Sequence, residues 1–169
     1  MNLQSKRVLH SSPSLAAFTL ASGRLGGLIL FLLIAPCACD HPAAPTVTMQ
    51  IGRESFALEL ATTEAEQELG LMHRDHLDSD KGMIFIFPDV AIRTFWNHDV
   101  SFPLDLIFLD AGGRIVSIKQ MQQFSDLDVS SDAAAKYAIE LNAGTAAGVG
   151  VKTGDTLSIP NQVAALSGR

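Results

Sequence analysis

Apolar and polar residues alternate in Val47-Thr-Met-Gln-Ile51 and again in Phe56-Ala-Leu-Glu-Leu60, with Gly52-Arg53-Glu54 between them. A period of two sends successive side chains to opposite faces of a strand, so these segments predict a hairpin. Thr63-Glu-Ala-Glu66 then has the form of a capping box. The Thr63 hydroxyl can accept from the Glu66 amide while the Glu66 carboxylate accepts from the Thr63 amide. With Gly70 as a left-handed stop, the predicted helix runs from Glu64 to Leu69. Met83-Ile-Phe-Ile-Phe87 is short, unbroken and rich in aromatic residues, which predicts a buried strand ended by Pro88. Arg93–Trp96 and Leu104–Leu109 are further strands, the second begun by Pro103, which cannot donate inside a ladder. Asp110–Gly113 reads as a turn from which Arg114–Gln120 returns. Lys136–Leu141 alternates, with Tyr137, Ile139 and Leu141 on one face. Gly154-Asp155 turns into Thr156–Ile159. Ser125–Ala135 is small and polar and reads as a loop. Seven or eight short strands with one short helix predict a mainly β domain, a β-sandwich or open barrel.

The N-terminal region follows a different pattern. Lys6, Arg7 and Arg24 precede the apolar run Leu25–Ala35, and no acidic residue occurs before Asp40. A basic lead, a short apolar core and small residues after it describe a secretory signal. The run is shorter than the ~20 apolar residues that span a bilayer. Cys37 and Cys39 are the two cysteines of the chain. Ala38-Cys39 resembles the end of a bacterial lipoprotein signal, although Pro36 stands where such signals usually carry Leu. The organisation expected is therefore a signal over residues 1–39 with Cys39 as the lipidated residue, a linker over 40–46, a β domain over 47–160 and a loose tail over 161–169. An exported protein follows, periplasmic or anchored to the membrane by its lipid.

Charge and cysteine content narrow the chemistry. The chain carries 12 basic and 18 acidic residues, a formal −6. Three of the basic residues lie in the signal and none of the acidic ones do, so a processed chain would carry nine against eighteen, a formal −9. That disfavours nucleic acid and electrostatic adhesion to anionic lipid, leaving membrane contact to the signal or a lipid anchor. Ala44–Arg169 contains no Cys. The domain therefore has no internal disulfide, no cysteine nucleophile and no thiolate metal site. No cofactor is expected.

Several motifs occur in order along the domain. They are T-x-x-E-x-x-x-G-L-M-x-R from Thr63 to Arg74, G-M-x-F-x-F from Gly82 to Phe87, Phe95-Trp96, and Pro103-Leu-Asp-Leu-Ile-Phe-Leu-Asp110. Gly113-Arg-Ile-Val116, Glu140-Leu-x-Ala-Gly144 and Gly154-Asp155 follow. Together they resemble domain of unknown function 192 (DUF192), here as an exported bacterial member. The resemblance implies a jelly-roll-like β-sandwich and no established activity. After Phe-Trp the family commonly has Met-Lys-Asn-Thr. This chain has Asn97-His98-Asp99-Val100, so a titratable His beside an Asp replaces a fixed cation.

The candidate site residues are Arg74, Trp96, His98, Asp99, Asp105 and Glu140. Asp105 lies in an apolar strand, where an ionised carboxylate needs a partner. Arg74 and Arg93 are candidates, and a purely structural pair is weighed against a pocket that aims Arg74 at an acidic ligand. Glu140 is read the same way, with a structural or surface role against a site role. Trp96 is the one Trp and could wall a cleft. His73, His76, His98 and Asp99 are a weak metal set, and no metal is expected. No G-x-S-x-G motif is present. Two classes remain. One is an envelope accessory module that binds a small ligand or another envelope protein. The alternative is a hydrolase using Asp105, Glu140 or His98 as acid–base groups.

Overall fold

The structure, a computed structural model, is described for residues 44–167. The expected signal segment, with Cys37 and Cys39, and most of the expected linker lie outside the described residues. The elements are β1 (Thr46–Ile51), β2 (Glu54–Ala61), α1 (Glu64–Leu69), β3 (Lys81–Ala91), β4 (Thr94–Asn97), β5 (Leu104–Leu109), β6 (Ile115–Met121), β7 (Ser125–Ser130), β8 (Ala135–Asn142), α2 (Thr145–Val149) and α3 (Asn161–Leu166). The fold is mainly β, as the alternation predicts.

Six strands form one sheet in the order β1-β2-β3-β8-β5-β6, and β4 pairs with β7 in a separate two-stranded ribbon. The six-stranded sheet is open and does not close into a barrel. All its pairings are antiparallel except β2 with β3, which α1 and the segment after it connect. Both faces are covered. Met49, Phe56, Leu58, Ile84, Ile107, Ile139 and Leu141 project from the first face and pack with Ala146 and Val149 of α2 and Val163 of α3. Met83, Phe85, Leu104, Leu106, Phe108 and Ala138 project from the second face and pack with Leu71, Val100 and the ribbon residues Phe95 and Val129. A sheet buried on both sides explains why β5 has no exposed residue at all.

Five expectations change. Three short helices are present among the described residues, not one. Residues 161–166 are not a loose tail, because α3 inserts Val163 fully into the first-face core. Ser125–Ser130 is a strand despite its polarity, since it pairs only with β4 and leaves most of its side chains in solvent. Thr156–Ile159 is not a strand; it is reduced to a single bridge between Arg114 and Thr156. β3 runs past Pro88 to Ala91. Its pairing with β8 slips between Ile86 and Ala91, so Pro88 falls where no ladder amide is required.

Candidate functional site

Glu59, Met83, Glu140 and Leu106 occupy one row across four adjacent strands, β2, β3, β8 and β5. The row projects from the second face, toward α1 and the ribbon. Residues one step along, including Asp105, point the other way because side chains alternate. This parity decides the site.

The expectation that Arg74 meets Asp105 is overturned. Arg74 lies on the second face and forms a bidentate pair with Glu59, Nη1 to Oε1 at 2.5 Å and Nη2 to Oε2 at 2.7 Å. That hydrogen bonding raises the Arg74 pKa, with the charges of Glu59 and Glu140 adding to it against desolvation. Asp105 lies on the first face. Its Oδ2 accepts from the buried Ala146 amide at 2.9 Å, and its Oδ1 accepts from Gln120 Nε2 at 3.1 Å. Asp105 therefore fastens α2 to β5. Arg93 is also committed elsewhere. Its guanidinium stacks 4.0 Å from the Phe87 ring centre, donates to Asp89 Oδ1 at 2.6 Å and donates to the Ala135 carbonyl at 3.3 Å.

A cleft of about 380 Å³ opens over the second face. One wall is α1 and Gly70-Leu-Met72, and the other is Ile92 to Asn97. The helix stands where it does because of its cap. The Thr63 hydroxyl accepts from the Glu66 amide at 3.3 Å, while Glu66 Oε2 accepts from the Thr63 and Thr62 amides at 2.9 and 2.8 Å. These bonds, Thr63 first and Thr62 second, hold the Glu66 pKa below its ordinary value. Gln67 then donates to the Ile86 carbonyl at 2.9 Å and ties the helix to β3. Gly70 ends the helix at φ 47° and ψ −129°, outside the left-handed helical basin and open to glycine. His73 N donates to the Asp99 carbonyl at 3.0 Å and Ser101 Oγ to the Arg74 carbonyl at 3.0 Å, so the two walls are joined below the cleft.

The floor is aromatic. Phe95 meets Phe85 edge-on at 4.9 Å between ring centres and Phe108 at 5.6 Å. Trp96 stands half-exposed at the rim. Within this apolar lining sits Glu140. It is 4% exposed, and its Oε2 has no hydrogen-bond partner. Burial pushes its pKa up to about 8, and the Arg74 charge only partly opposes that. Glu140 is therefore a neutral acid at pH 7, able to donate or accept one hydrogen bond, or to ionise if a cation reaches it.

Of the six candidates, Trp96 and Glu140 line the cleft. Arg74 is not part of its lining, Asp105 faces away, and His98 and Asp99 form a separate surface group. His98 Nδ1 bonds to Asp126, and Nε2 lies 3.5 Å from Asp99. The bond to Asp126, then the Asp99 charge, raises the His98 pKa. His73 and His76 do not join them, and no group of three or more metal-ligating side chains occurs among the described residues. Sequence reasoning missed Glu59, Gln67 and Asn97. Asn97 is 1% exposed and its amide donates to the Gln122 and Phe102 carbonyls at 2.8 and 3.2 Å. The alternation of β2, which puts Glu59 opposite Leu58 and Leu60, was the available signal for Glu59.

Comparison with known proteins gives a family and solved relatives, two of them as follows. No curated protein matches. A Novosphingobium aromaticivorans protein of unknown function is 31% identical with a TM-score of 0.66, over 75% of this chain and 94% of that one. A candidate transcription regulator from Sinorhizobium meliloti is 33% identical with a TM-score of 0.60, over 62% of this chain and 82% of that one. Residues 46–159 match the DUF192 family, described as uncharacterized ACR, and the chain belongs to that family.

Proposed function

We propose that the domain is a small-ligand-binding module, exported and tethered at the cell envelope through Cys39. The observation that carries the binding reading is Glu140, a buried carboxyl with an unpartnered oxygen in the lining of an aromatic cleft. A buried polar group without a partner costs roughly 1–3 kcal/mol, a cost that a bound ligand can offset. The cleft volume of about 380 Å³ suits a small molecule, since such sites run to about 300–1,000 Å³. Leu69, Ile92 and Trp96, all half-exposed, gather at its mouth and offer apolar area to a ligand.

The hydrolase alternative needs Asp105 or His98 beside Glu140. Asp105 projects from the opposite face and His98 pairs with Asp126 outside the cleft, so binding is favoured. The formal charge of −6 also weighs against a nucleic-acid partner. The envelope placement rests on the basic lead, the apolar run and Ala38-Cys39.

Native mass spectrometry of the protein purified from its host membrane tests both parts. A co-purifying small molecule that leaves on partial unfolding supports binding, and a diacylglyceryl group on an N-terminal Cys39 supports the tether. An unprocessed chain in the soluble fraction would remove export.

A further inference from the structure

Two residues that line the cleft each keep a buried oxygen without a hydrogen-bond partner among the described residues, Glu140 Oε2 and Asn97 Oδ1. The Asn97 amide nitrogen donates to two backbone carbonyls, which fixes its orientation and leaves its oxygen as an acceptor only. Glu140 becomes an acceptor when it ionises. Asn97 Oδ1 therefore calls for a hydrogen-bond donor on a ligand, and Glu140 does the same once ionised. Charge agrees with this. Glu64 and Glu68 of α1 line the same cleft as Glu140. The one cation in the lining, Arg93, is already held by Asp89. Phe85, Phe95 and Trp96 line the same cleft, and aromatic rings favour a cation and an apolar body together.

The geometry points to a small organic ammonium ligand, its nitrogen held by Glu140 and its apolar body lying against Phe95 and Trp96. This rests on the binding reading above and adds the ligand class. Binding of the cation would ionise Glu140, which is protonated in the free protein up to about pH 8. The released proton makes affinity depend on pH, because only the ionised fraction is competent. Arg74, whose charge acts on Glu140, and Glu59, which pairs with Arg74, complete the charges around the carboxyl.

Three probes of similar shape separate the possibilities: 2-phenylethylamine, 2-phenylethanol and phenylacetate. Each is titrated into the full-length protein while the amide signal of Gly70 and the indole signal of Trp96 are followed by NMR. The amine should bind most tightly, and its Kd should fall about tenfold per pH unit from about pH 6 to about pH 8. Glu140→Gln should weaken the amine at least tenfold and abolish the pH dependence, with the fold checked by the dispersion of the same spectra. The pH slope in the unmodified protein stands without the variant. Equal or tighter binding of the alcohol or the acid would overturn the ammonium assignment and leave the binding reading standing. Amine binding that is indifferent to pH would overturn the role of Glu140. Silence of both signals toward all three probes would overturn this inference, and with no co-purifying molecule it would take the binding reading with it.

Discussion

Glu140 lies directly beneath Gly70: a β-carbon on Gly70 would sit 3.9 Å from Glu140 Oε2 and 3.6 Å from the tip of the Phe85 ring. The helix stop therefore forms the roof over the buried carboxyl. Burial among such neighbours keeps Glu140 neutral. The consequences for stability follow from that burial and from the parity of the sheet.

Stability should fall as pH rises through the range in which Glu140 holds its proton. The folded carboxyl keeps it to about pH 8, while an ordinary one loses it near 4.5. Between those values the unfolded state binds fewer protons than the native state, so the slope is negative. The stabilisation is complete below the lower value and lost above the upper one, a span on the order of 5 kcal/mol at most. Glu140→Gln should flatten the curve and be more stable than the unmodified protein near pH 9. Denaturant midpoints at several pH values check this, and parallel curves for the two proteins would place Glu140 in solvent.

Arg74 should couple to Glu59 and not to Asp105. The Arg74–Glu59 pair is partly exposed, so solvent screening limits each single truncation to about 1 kcal/mol. Asp105→Ala should cost about 1–3 kcal/mol by stranding the buried Ala146 amide. In double-mutant cycles, losses at Arg74 and Asp105 should add within about 0.5 kcal/mol, whereas Arg74 and Glu59 together should cost less than their sum. Chemical denaturation of the six proteins gives the answer.

Thr63→Ala should loosen the cleft wall before it unfolds the domain. No residue of α1 is fully buried, so the helix depends on its cap and on the Gln67 bond to Ile86. Loss of such a cap costs about 1 kcal/mol. Amide exchange should accelerate at Gln67 and Gly70 while β5 and β8 stay protected. Uniform acceleration across all strands would show that α1 is not a separate unit.

Gly82→Ala should be strongly destabilising. Its β-carbon would lie 2.5 Å from the Glu140 carbonyl oxygen and 2.6 Å from Leu141 Cδ2, forcing β3 away from β8. Overpacking of this kind costs about 1–3 kcal/mol. Gly148→Ala is the control, since nothing lies within 4 Å and the site is helical; it should gain up to about 1 kcal/mol. Melting temperatures of the two variants should move in opposite directions.

Local patterns were legible wherever one residue type at one spacing has a single physical reading. Thr63 with Glu66 specified the start of α1, and the alternation of β1 and β2 specified both the hairpin and the face each residue takes. β7 was missed because its alternation is short: only Leu127 and Val129 alternate with Asp126 and Asp128, and the Ser and Asp around them read as a loop. α3 was missed because a six-residue helix with one fully buried side chain offers almost no stripe.

Sequence alone determined the family, the mainly β character and the absence of cysteine chemistry from the domain, because these follow from residue identity and short-range order. It also marked Asp105 and Glu140 as carboxyls in apolar strands. Only the tertiary structure decided which of them forms part of a cleft. Their strands are neighbours, yet Glu140 pairs across from Leu106 and Asp105 across from Leu141, and the two carboxyls leave the sheet on opposite sides. One is satisfied by the backbone of α2 and the other is left unpartnered beneath Gly70. That distinction depends on strand register and on what covers each face, and both are set by contacts between residues far apart in the chain.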